Sequence, residues 1–129
     1  MTTPLRLRRN NLWLCLSLAV AGLGDGILTL VGNNRWGWEM TPVWVWFFQH
    51  GGSLSFVAAF LGYLAVFGML VAVAPLRLAK GLCVMMVLAH TSGIASWLRL
   101  FPIPYLLEPL VYVAMAALTV FAFEKSSRQ

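Results

Sequence analysis

Four apolar stretches, each near the length of a membrane-crossing helix, alternate along the chain with short polar or proline-marked breaks. The first covers about residues 11–31, after the basic tract Arg6-Leu7-Arg8-Arg9, and ends at Gly32-Asn33-Asn34-Arg35. No small-residue cleavage motif follows it, so the pattern predicts a retained helix rather than a signal peptide. From Thr41 to Ala74 the sequence stays apolar for 34 residues. That is too long for one span of ordinary tilt, which needs about 20. The break at His50-Gly51-Gly52-Ser53 divides it into a short helix over about 42–49 and a span over about 54–73 that stops at Pro75. Thr41 suits the N-cap of the short helix and Pro42 its first position. The third span is predicted over about 81–100, ending at Phe101-Pro102-Ile103-Pro104, and the fourth over about 105–123.

The expected architecture is therefore all-α: an integral membrane four-helix bundle, one domain over 1–129, with an interfacial helix between helices one and two. Composition agrees. Hydrophobic residues make up 60% of the 129 positions and charged residues 10%, with mean hydropathy +0.82. Ordinary soluble domains carry about a quarter charged residues.

A net charge of +5 would suggest nucleic acid in a soluble protein. Here the cations lie between apolar runs, where they set topology, and no basic face remains for DNA or RNA. Arg6, Arg8, Arg9, Arg77, Lys80, Lys125 and Arg128 fall on one side, Arg35 and Arg99 on the other. The positive-inside rule then places both termini in the cytoplasm, and the setting reads as a prokaryotic cytoplasmic membrane. Both lysines sit at the cytoplasmic edge, which excludes a Schiff base inside the bundle. Cys15 and Cys83 are far apart in apolar settings and read as core. Of the six tryptophans, Trp36, Trp38, Trp44, Trp46 and Trp97 are expected to form an outer rim for lipid or a partner. Small residues recur at four-residue spacing, as at Gly22 and Gly26, Ala58 and Gly62, Gly68 and Ala72, and Ala89 and Gly93, and read as helix-packing faces.

Against this background Asp25, in the middle of the first run, is costly. A charge at that depth needs a partner, a cavity or a proton. His90 lies at similar depth on helix three, and Arg99, Glu108, His50 and Glu39 fall nearer the outer end. Thr29 and Tyr112 stand one turn from Asp25 and Glu108. The cytoplasmic half of the spans holds no ionisable residue, and the asymmetry marks an outer-half polar site. Three readings compete. Asp25 pairs with His90 or Arg99 and fixes helix register. Alternatively the polar groups bind a ligand or pass an ion or proton, with the glycines beside Asp25 allowing an unwound turn. The third reading is a metal centre on Asp25, His50, His90 and Glu108, which would permit metal-dependent or acid/base chemistry. The chain has no HExxH, no CxxC, no nucleophile elbow and no phosphate loop.

The order Asp25-x3-Thr29, Glu39-x-Thr41-Pro42 and His50-Gly51 resembles the DUF5658 family, small prokaryotic membrane proteins of unknown function. The resemblance covers residues 15–75. It implies the helical fold and an outer-side polar site, but no activity. Thr41 stands where that family has Asn, and apolar residues surround Gly62 where it often has Lys. Ala89-His90-Thr91 and Pro104-Tyr105-Leu106-Leu107-x-Pro109 are more faintly similar to the sterol-isomerase and sigma-2-receptor bundles. The second-helix carboxylate of those proteins is missing here, against isomerase chemistry. The expectation is a non-catalytic accessory or ligand-binding subunit among membrane lipids, in a larger complex or a homo-oligomer, with a metal ion or a lipid as candidate ligand.

Overall fold

The computed structural model describes residues 9–36, 41–100 and 104–128. They form four helices and no strand: α1 (Leu12–Trp36), entered through a 3-10 turn at Arg9–Asn11, α2 (Pro42–Val73), α3 (Leu76–Leu98) and α4 (Pro104–Ser127). Each contains a stretch long and apolar enough to cross a membrane. The expected four-helix membrane bundle is therefore present. Its large exposed side chains, such as Leu16, Ile27, Leu61, Leu88 and Val113, are apolar, as a surface facing lipid requires.

Several helix ends lie further out than the apolar pattern places them. α3 begins directly after Pro75 rather than near residue 81 and includes Arg77 and Lys80 in its first turns. Proline fixes φ and cannot continue the preceding helix, so it ends α2 and frees the next residue to start α3. Charges in a terminal turn do not interrupt a helix that leaves the hydrocarbon there.

The helices are arranged around a parallel central pair. α1 and α3 run in the same direction, with contacts at a nearly constant sequence offset. The Cys83 thiol donates to the Leu14 carbonyl, His90 meets Asp25 and Trp97 meets Thr29, at separations of 69, 65 and 68 residues. Leu14, Leu18 and Ala21 from α1 and Ala79, Cys83, Met86 and Val87 from α3 form the seam towards the end where both termini lie. Their alternation of three- and four-residue steps is the spacing of helices packed with a shallow left-handed crossing. α2 and α4 flank this pair, and among the described residues their Cα atoms stay more than 8 Å apart. α4 is the least embedded helix, resting on α1 through Trp13 and Phe121, whose rings meet edge to face at 5.4 Å.

Asn11 joins the terminal end. Its amide donates to the carbonyls of Val71 and Ala74 at 2.7 and 2.8 Å, satisfying acceptors that the last turn of α2 leaves open.

α2 breaks where the glycine pair predicts. Gly52 takes φ +63° and ψ −160°, a conformation open to glycine and strained for other residues. The first limb, up to Gly51, does not continue the axis of the second. Trp44 meets Phe60 at 5.2 Å and Phe48 stacks on Phe56 at 4.5 Å. A Cβ on Gly51 would reach Ser55. The two ring pairs are symmetric about position 52, so the limbs fold back against each other. The short helix thus packs on the bundle, with Trp44 at the depth of Phe60 and Tyr63. Thr41 takes extended backbone before Pro42 but makes no capping hydrogen bond with its side chain.

Candidate functional site

α1 and α3 present Asp25 and His90 to each other about 20 Å along α1 from Leu12 and about 16 Å from Trp36. His90 Nδ1 lies 2.8 Å from Asp25 Oδ2, and the two side chains are 5% and 16% exposed. α1 continues as regular helix through Asp25, so the unwound turn allowed by its glycines is not formed. The glycines serve close approach instead. A Cβ on Gly93 of α3 would collide with the Asp25 carboxylate, and one on Gly26 would strike the Phe60 ring. The two-residue site is thereby packed shut by backbone on one side and an aromatic ring on the other.

The remaining surroundings are aromatic. Phe60 and Tyr63 of α2 meet the His90 ring edge to face at 5.9 and 5.8 Å, and Trp44 lies 5.7 Å from Tyr63. The Tyr63 hydroxyl donates to Met86 Sδ at 3.7 Å. His90 Nε2 is buried without a hydrogen-bond partner among the described residues. A neutral imidazole that donates from Nδ1 to the carboxylate leaves Nε2 as a bare acceptor, and a proton there gives an imidazolium facing ring electrons and a carboxylate.

Polar groups continue from this pair towards the end opposite the termini. Thr29, one turn on from Asp25, accepts from Trp97 Nε1 at 3.0 Å rather than bonding the carboxylate. Further on, the Ser53 hydroxyl donates to Asn34 Oδ1 at 2.8 Å, linking the α2 bend to α1. At that end Arg99 grips Glu108 in a two-pronged ion pair, with contacts of 3.1 and 2.7 Å. The Glu108 carboxylate beside it raises Arg99 further above its ordinary range. In the other direction the seam past Ala21, Leu18 and Leu14 is mainly apolar, its buried polar groups being Ser17 and the Cys83 thiol, with no carboxylate, imidazole or cation before the terminal turn.

The structure thus brings together Asp25 and His90, Thr29 and Trp97, and Arg99 and Glu108, but not the four residues proposed for a metal. His50 Nδ1 lies 2.8 Å from the Trp46 carbonyl, with its ring stacked on Trp46 at 4.5 Å. Glu108 is taken by Arg99. No three histidine, cysteine or carboxylate side chains converge among the described residues. Of the expected tryptophan rim, Trp46 is exposed, Trp97 is 7% exposed inside the α1–α3 seam, and Trp44 packs in the aromatic cluster. Trp38, Glu39 and the side chain of Trp36 lie outside the described residues. Tyr112 lines an apolar groove between α3 and α4. Cys15 and Cys83 are free thiols.

Asn11, Gly93 and the aromatic side chains around His90 escape sequence reading. Asn11 resembles any polar residue before a span, and Gly93 looks like a general small-residue face. The period of α2 does not reveal its fold-back, although the Gly51-Gly52 pair marks where it occurs. No protein-family model, curated protein or solved structure matches the chain.

Proposed function

We propose that this chain is a non-catalytic membrane subunit that binds and releases a proton at Asp25 and His90. The observation that carries the reading is the buried pair with an unpartnered Nε2 among aromatic rings. Backbone at Gly93 lies close against the Asp25 carboxylate and Phe60 against Gly26, and no third histidine, cysteine or carboxylate converges there among the described residues, whereas a proton adds almost no volume. Histidine is the side chain whose charge changes most readily near neutral pH. Tyr63 is the titratable residue that α2 brings to the pair. The polar steps at Thr29, Trp97, Asn34 and Ser53 favour exchange with the end away from the termini. The seam on the other side, mainly apolar and without carboxylate, imidazole or cation, favours a one-sided site over a through-going path. With Arg77, Lys80, Lys125 and Arg128 at the terminal end, the positive-inside rule makes that end cytoplasmic and the exchanging end external.

The test uses the His50→Gln protein in lipid nanodiscs, where His90 is the sole imidazole. Trp44 and Trp97 adjoin the site, so their emission should change in one step between about pH 4 and 9 as the imidazole charges. Adding His90→Gln should abolish that step. A step that persists without either histidine would refute proton binding at His90.

A further inference from the structure

The end of the bundle where α1 begins and α4 ends carries a second arrangement, built on different residues. α3 and α4 leave between them an open groove of about 400 Å³, lined by apolar and small side chains including Val84, Leu88, Ala116, Thr119, Val120 and Phe123. It extends from Tyr112 to Phe123, about 16 Å of helix. That is about half of a 30 Å hydrocarbon core, the depth of a single lipid tail. At Phe123 the groove becomes cationic. Lys80 Nζ sits 5.0 Å from the Phe123 ring centroid and donates to Ser127 Oγ at 2.7 Å. Lys125 Nζ lies 5.5 Å from the Phe121 ring, which meets Trp13 of α1 on the face of α4 away from the groove. Glu124, the carboxylate nearby in sequence, is paired with Arg128 at 3.6 Å. Among the described residues no carboxylate lies within 4 Å of either lysine.

We infer that the α3–α4 groove holds one tail of an anionic phospholipid from the surrounding bilayer, with the lipid phosphate held by Lys80 at the Phe123 mouth. The groove and the charge are continuous at Phe123, which lines the first and carries Lys80 over its face. A neutral tail alone would need no cations at this mouth, and a free anion would need no groove. Lys80 also matches what an anionic headgroup meets at a membrane surface, where a nearby cation favours binding several-fold. The proposal does not depend on proton binding at His90.

Native mass spectrometry of the full chain in detergent, with phosphatidylglycerol or phosphatidylcholine of identical tails, tests it. Phosphatidylglycerol should bind about five-fold more tightly, Lys80→Gln should remove that preference, and Lys125→Gln, on the far face of α4, should leave it in place. Ala116→Phe, which fills the groove, should weaken both lipids alike, with circular dichroism verifying that the helices remain. Equal binding of the two lipids, or a preference that survives Lys80→Gln, would overturn the proposal. So would unchanged lipid binding in Ala116→Phe. If Ala116→Phe instead dissociated a dimer, the groove would be a contact between copies and the lipid assignment would fall.

Discussion

At the scale of residues, Asp25 is kept in an apolar helix by a single close partner, His90, and by the absence of a side chain at Gly93. Interhelical hydrogen bonds in membranes contribute about 0.6 kcal/mol on average and up to about 2. A double-mutant cycle of Asp25→Ala and His90→Ala should therefore give a coupling of about 1–2 kcal/mol in reversible unfolding from micelles. Independent effects of the two changes would mean that the pair contributes no net interaction. Gly93→Ala should destabilise by about 1–3 kcal/mol, because its methyl enters the space of the carboxylate. The same change in an Asp25→Ala background should cost under about 1 kcal/mol. A large cost in both backgrounds would point to some other clash.

This pair was legible in the chain because a charge inside an apolar run is rare. The choice of His90 over Arg99 was not. Both lie on α3, and only the parallel register of α1 and α3 decides which one faces Asp25. Arg99 lies near the end of that register and meets Glu108 instead.

At the scale of elements, two devices organise the bundle. The first is the bend of α2 at Gly52, which carries Trp44 down beside Phe60 and Tyr63. Gly52→Ala forces a side chain into a positive-φ position and should cost about 1–2 kcal/mol. It should also move Trp44 emission to longer wavelength as the limb leaves the cluster. An unshifted spectrum would show that the fold-back does not depend on glycine. The second device is Asn11, whose amide closes two α2 carbonyls. Asn11→Ala should lower stability by about 1–3 kcal/mol, since both acceptors are at a buried position. A neutral outcome in thermal unfolding would mean that water replaces the amide there. Helix number and kind followed from hydropathy alone, and the glycine pair located the bend. The direction of the bend depends on aromatic contacts between residues 8 to 16 apart, which no local pattern encodes.

At the scale of the whole molecule, the polar and apolar halves of the α1–α3 seam have opposite consequences. One half tightens around an acid and a base with polar steps leading away. The other is a closed, mainly apolar contact holding Ser17 and Cys83, finished by cations at the terminal turns. Four crossings place both termini on one side, and reporter fusions at the two ends should register the cytoplasm alike. Opposite signals would mean that one helix does not cross. The polar asymmetry was visible in the sequence, whereas the division between a sealed site at His90 and a separate groove beside α4 required packing.

The central claim is that the Asp25–His90 pair exchanges a proton, rather than only holding two helices in register. The most direct measurement is the 15N spectrum of the His90 ring in lipid bilayers, with His50→Gln leaving it the sole imidazole, from about pH 4 to 9. The expected result is a change of the Nε2 signal from an unprotonated to a protonated nitrogen within that interval, displaced in pH by Asp25→Asn. A single protonation state at every pH, unaltered by Asp25→Asn, would contradict the account and leave the pair a structural contact.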